Sequence, residues 1–189
     1  MATFDLNGDG YNLTLYSGEN LALNAITGVN LLTIYVNGGS IADNNGAANN
    51  VTAVSFIFSA TNGVGSGNAL ETAVSNINGE NNTSGDIYIS NTGDLYIVGS
   101  GVYNGGGDID ISVASSLYII ETSIYSFAEA DGDGGQTAQA TSGDVTLSAD
   151  GNIILLGDAY VYSRAVAYNA ETVTATSGDV SLDAGGYID

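Results

Sequence analysis

A spaced apolar signature recurs along this chain and constrains its fold more than any other feature. It reads apolar-x-apolar, a five-residue gap, then apolar-x-apolar. The copies are Leu13/Leu15/Leu21/Leu23, Ile87/Ile89/Leu95/Ile97, Ile109/Ile111/Leu117/Ile119, Val145/Leu147/Ile153/Leu155 and Val180/Leu182/Ile188. A Gly-Asp pair leads into four of them: Gly85-Asp86, Gly107-Asp108, Gly143-Asp144 and Gly178-Asp179. Such a repeat implies stacked units that bury their apolar sides against one another, not a single folded globule.

Each half of the signature alternates apolar and polar residues, the period of a strand with one buried face. The gaps, such as Asn91-Thr92-Gly93 and Ala149-Asp150-Gly151, hold residues that turn a chain readily. Asp86 and Asp108 are 22 residues apart, and the next two spacings are 36 and 35. Twenty-two residues suit one turn of a parallel β-helix with three short strands and three corners. A third strand follows the signature at Val102-Tyr103, Ile124-Tyr125 and Val161-Tyr162. The longer units add residues at 128–141 and 164–176, which read as loops or small hairpins leaving one corner. The expected fold is all-β: a parallel β-helix, or β-solenoid, with corner loop excursions.

No linker interrupts the chain, so 1–189 reads as a single β-solenoid domain. The register is regular over 85–189. Within 1–84 the coils are irregular beyond the first copy, with apolar stretches at 31–36 and 54–58 and apparent loops at 63–67 and 78–85.

Composition narrows the function. The chain has no Pro, Cys, His, Trp or Lys, and Arg164 is its only base against 21 acids, for a net charge of −20. Absent Cys excludes disulfides and thiolate metal sites. Nucleic acid is excluded as a partner, because phosphate binding needs Lys and Arg. Anionic membrane surfaces are disfavoured for the same reason. No apolar run approaches the ~20 residues that would insert into a membrane. The carboxylates favour solubility and point to divalent cations or a salty medium. Residues 1–16 have neither a basic start nor an apolar block, and the fifth copy stops before its last apolar position. The expectation is a segment cut from a longer precursor, or an incomplete unit that docks on the next subunit.

The regular half resembles the repeats of filamentous haemagglutinin-type adhesins. The likeness lies in Thr141-Ser142-Gly143-Asp144-Val145-Thr146-Leu147-Ser148-Ala149-Asp150-Gly151-Asn152-Ile153. It recurs in Thr176-Ser177-Gly178-Asp179-Val180-Ser181-Leu182-Asp183-Ala184-Gly185-Gly186. The resemblance implies a right-handed β-helical shaft, secreted to the cell surface, with adhesive or scaffold roles.

The sharpest local motif is Asp5-Leu6-Asn7-Gly8-Asp9-Gly10. It matches the start of an EF-hand-like loop, with Asp5, Asn7 and Asp9 as oxygen ligands for Ca²⁺. The twelfth position is Tyr16 where a bidentate Glu belongs, and Glu19 is the nearest substitute. The competing reading is a plain acidic turn. No cofactor is required, and Ca²⁺ is the one candidate ion. Stacked Gly-Asp corners would align Asp86, Asp108, Asp144 and Asp179, either to recruit a cation or to bond neighbouring backbone N–H groups. Asp131-Gly132-Asp133-Gly134-Gly135 reads as a solvated tip.

The 12 tyrosines place Tyr96 and Tyr118, and Tyr103 and Tyr125, in matching outward slots. Such columns stiffen a sheet or stack on the rings of glycans. Catalysis lacks its usual groups: there is no His for proton transfer and no Cys nucleophile. The chain therefore reads as no enzyme, with a polysaccharide-degrading β-helix enzyme the weakest alternative. The leading expectation is a structural extracellular protein, a subunit or shaft segment of a surface filament or adhesin. Its partner would be itself, stacked head to tail, or flanking coils of a longer chain. A calcium- or glycan-binding cell-surface module is the alternative.

Overall fold

The computed structural model describes the backbone of residues 2–7 and 10–189 and, apart from 2–7 and Gln136, their side chains. Sixteen strands form one continuous sheet, and no helix occurs among the described residues. Every strand pairing is parallel. The fold is all-β and built by parallel addition of one unit on the last.

The period follows from one row of partners. Ala2, Leu21, Ile41, Val64, Ile87, Ile109, Val145 and Val180 lie side by side, each paired with the next. The units are thus 2–20, 21–40, 41–63, 64–86, 87–108, 109–144 and 145–179, with an eighth beginning at 180. Ile87, Ile109 and Val145 are at most 1% exposed, so the apolar signature does fill the interior. Val180 is 44% exposed because nothing in the chain stacks on it.

Two further rows on the opposite side of each unit also line the interior, beside the Ile89–Ile111–Leu147 and Leu95–Leu117–Ile153 rows of the signature itself. Leu13, Leu32, Phe56, Ile77, Ile97, Ile119 and Leu155 form one. Leu15, Ile34, Phe58, Gly79, Val102, Ile124 and Val161 form the other, which contains the expected third strand. Each fully buried aliphatic side chain contributes roughly 1.5–3 kcal/mol, and only neighbouring units supply the burial.

Three expectations need correction. The first signature copy is out of phase. Leu13 and Leu15 pair with Leu32 and Ile34, on the rows of Ile97 and Val102, whereas Leu21 takes the Ile87 position. The two halves of the signature are alike, so spacing alone cannot tell them apart. The missing Gly-Asp pair before Leu13 was the distinguishing mark.

Residues 25–84 carry registered strands, including most of Leu21–Val36, Val51–Ala60, Leu70–Ala73 and Asn76–Asn81. The period was obscured because residues inserted between Asp43 and Val51, and between Val64 and Leu70, break the spacing without breaking the pairing. Asn78–Asn81 is strand for the same reason: Asn78, Gly79, Glu80 and Asn81 find partners in Ile57, Phe58, Ser59 and Ala60.

The excursions at 128–141 and 164–176 are not independent loops. They continue the strands Ser123–Thr141 and Tyr160–Thr176, which pair with each other from Ser123↔Tyr160 to Thr141↔Thr176. A register shift between Asp131 and Gly135 marks the tip. The result is a two-layer fin. Backbone donors that would otherwise lie open on two loops instead satisfy each other.

Candidate functional site

The candidate calcium residues are only partly placed. Asp5 and Asn7 belong to the strand Ala2–Asn7, opposite Ala25 and Thr27. Gly8 and Asp9 lie outside the described residues. Tyr16 stacks on Tyr35, with ring centroids 5.1 Å apart. The Ser17 hydroxyl donates to the Glu19 carbonyl at 2.6 Å and accepts from the Glu19 N–H at 3.2 Å, so this corner bonds internally.

The Gly-Asp corners resolve into a backbone device. The Asp108 N–H donates to the Asp86 carboxylate at 3.0 Å. Asp144 repeats this to Asp108, and Asp179 to Asp144, both at 2.8 Å. Each carboxylate therefore caps a donor in the following unit. The glycines are required by close approach, since a Cβ on Gly107, Gly143 or Gly178 would overlap the backbone of the preceding unit. A second corner uses the same logic. Asp94 accepts from the Ser115 hydroxyl at 2.5 Å and the Ser116 N–H at 3.0 Å, which hold its carboxyl below the ordinary range.

The next corner is closed by a row that sequence reasoning missed: Asn81, Asn104, Ser126 and Ser163, all but the last fully buried. The Asn81 amide donates to the Ser84 and Gly85 carbonyls and to Asn104 Oδ1, at 2.8, 3.0 and 2.9 Å. Asn104 donates to the Gly85 and Asp108 carbonyls at 3.1 and 2.8 Å. Where the fin leaves the body, serine replaces asparagine. Ser126 Oγ donates to the Gly107 carbonyl and accepts from the Gly143 N–H. Ser163 Oγ does the same for Gly143 and Gly178. An asparagine reaches across a turn of three or four residues. A serine ties together two strand ends that are close in space but far apart in sequence.

The outward tyrosines form the expected columns. Tyr96 and Tyr118 stack at 4.5 Å with planes 8° apart. Tyr103, Tyr125 and Tyr162 follow at 5.1 and 4.9 Å. Burial, then the charges of Glu80 and Glu129, push the Tyr103 hydroxyl up in pKa.

A cleft runs beneath the fin, between its first layer and the corners of the two preceding units. One end holds about 310 Å³ and is lined by Asn82, Thr83, Tyr103, Phe127 and Glu129. The other holds about 340 Å³ and is floored by Gly85 and the run Gly105, Gly106 and Gly107. The two ends share Thr83, Gly105, Ala128 and Glu129. Arg164, in the upper fin layer, lies 6.0 Å from the centre of the Phe127 ring. Tyr168, in the same layer, donates its hydroxyl to Glu129 Oε1 at 2.6 Å.

Among the described residues, no group of three or more acids is placed to hold a metal ion. At the fin tip, the Asp133 N–H donates to the Asp131 carboxylate at 3.0 Å, a local turn. Comparison with family models, curated proteins and solved structures gives no match to this chain.

Proposed function

We propose that the sheet closes on itself as a β-solenoid, and that the protein is a structural shaft segment of an extracellular filament or adhesin. Its working partner is another copy of the chain, stacked end to end. The observation that carries this reading is the match between the two ends. Leu13, Leu15 and Tyr16 begin the same three rows that Leu155, Val161 and Tyr162 finish. Tyr16 is 76% and Tyr162 37% exposed, so the outer row ends in aromatic surface on both sides. Parallel edges also present unpaired N–H and C=O groups that a second copy can satisfy. The likeness of 141–153 and 176–186 to filamentous haemagglutinin-type repeats supports the surface location. The net charge of −20 opposes side-by-side clumping.

Electron microscopy and sedimentation of the chain test this. The expected result is thin fibres in which Ala2–Asn7 of one copy takes the place of Val180–Ala184 of the copy before it, with an axial repeat of roughly 34 Å, seven units at ~4.8 Å each. Monodisperse single copies at high protein concentration would remove the filament reading.

A further inference from the structure

We propose that the cleft under the fin is a binding site for neutral oligosaccharides, a function separate from the stacking of the ends. Three observations converge there. The first is aromatic. Tyr103 and Phe127 both line the cleft, with only the small residues Gly105 and Ala128 beside them. One face of a pyranose ring carries mainly C–H groups and packs on an aromatic ring, while its hydroxyls project from the rim.

The second is polar. Asn82 and Thr83 on one wall and Glu129 on the other offer an amide, a hydroxyl and a carboxylate around those rings. Tyr168 engages one oxygen of Glu129, and a carboxylate has a second that can accept from a sugar hydroxyl. At Gly106 the missing side chain leaves the backbone open to a ligand, since a Cβ there would have nothing nearer than the Thr141 carbonyl at 3.5 Å and the Ala128 Cβ at 3.6 Å.

The third is preorganisation. The upper fin layer serves the lower one: Arg164 sits over Phe127 and Tyr168 fixes Glu129. Groups held before a ligand arrives lose little freedom on binding. Each end of the cleft lies at the lower bound of about 300–1,000 Å³ for small-molecule sites, and their continuity suits an extended chain of sugars. The charge of −20 and the lack of any cationic group among the cleft residues reject sulfated or uronic sugars.

Isothermal titration with cellopentaose, maltopentaose and chitopentaose tests the proposal, with heparin as the anionic comparison. At least one neutral pentasaccharide should bind saturably and heparin should not. Phe127→Ala should weaken that binding at least tenfold at an unchanged melting temperature. Asn82→Ala, at an exposed position, should weaken it several-fold if Phe127→Ala fails to fold. Tyr118→Ala, in the separate tyrosine column, should leave it intact. Absence of binding by all three pentasaccharides at millimolar concentration would overturn the proposal. So would tighter binding of heparin, or equal affinity in the Phe127→Ala and Asn82→Ala variants. None of these outcomes depends on whether fibres form.

Discussion

Phe58 and Gly79 are partners in adjacent units, and the ring of one occupies the space a side chain on the other would need. A Cβ built on Gly79 would lie 2.5 Å from the Phe58 ring. Glycine weakens a strand, so its presence here reflects packing rather than propensity. Gly79→Ala should therefore destabilise the protein by about 1–3 kcal/mol through overpacking, although alanine is the better residue for an ordered backbone. Urea unfolding measures this. Adding Phe58→Leu to Gly79→Ala should recover part of the loss, because the two changes share one space. Equal or greater stability of Gly79→Ala alone would contradict the packing account.

Asn104 closes its corner by donating to two carbonyls and accepting from Asn81. Leaving a buried polar group without its partner costs about 1–3 kcal/mol. Asn104→Ala should lower stability by at least that much. Asn104→Asp should be worse at neutral pH, because a carboxylate cannot donate and is itself buried. Its deficit should shrink as the pH falls and the carboxyl regains a proton. Thermal melts of both variants between pH 4 and 8 test this, and a pH-independent deficit in Asn104→Asp would argue against the donor role.

Much of the regular half was legible in the sequence because burial there depends on identical spacing. Ile87, Ile109 and Val145 are equivalent in both sequence and space. The phase of Leu13 was not legible, since an apolar-x-apolar pair does not say which side of the unit it occupies. The fin was hidden for a different reason. Residues 128–141 and 164–176 contain mainly Ala, Gly, Thr and acids, without a strong alternation. They are strands because each has the other beside it, and pairing between distant segments leaves little local trace. The Asn and Ser staples were masked by composition, as asparagine and serine are common throughout the chain's turns. The cleft depends on all of these at once, so only its tyrosine column could be anticipated.

Glu71 is a source of pH dependence. Its Oε2 is buried without a hydrogen-bond partner. Desolvation, and secondarily the charge of Asp43, push its carboxyl above the ordinary value of 4.5, against an opposing backbone hydrogen bond. The folded state therefore holds the proton more tightly than the unfolded chain. By linkage, stability falls as pH rises from about 4.5 through the raised value, and is level beyond it. Glu71→Gln removes the charge, so it should be more stable than the parent at pH 7. The difference between the two should vanish below pH 4. A Glu71→Gln variant less stable than the parent at pH 7 would show that the charged carboxylate is favourable.

The match between the ends predicts a specific junction. If copies stack with the Leu15 and Tyr16 rows continuous, Val161 of one copy meets Leu15 of the next, and Tyr162 meets Tyr16, as Tyr16 already meets Tyr35 within the chain, while Ala2–Asn7 of the incoming copy displaces Val180–Ala184 from Val145–Ala149. Val161→Lys alone should block assembly, because a lysine would face leucine in the apolar interior of the junction. Leu15→Glu alone should block it from the other end. Each variant should remain folded by circular dichroism, since both positions lie on edge strands only partly covered within the chain. Mixing the two creates one junction with lysine opposite glutamate and one with the parental Val–Leu contact. The mixture should assemble into alternating fibres while neither component does so alone. Light scattering reads the outcome. Assembly of either single variant, or a mixture that stays monomeric while the parent forms fibres, would mean that the rows do not run through the junction in this register.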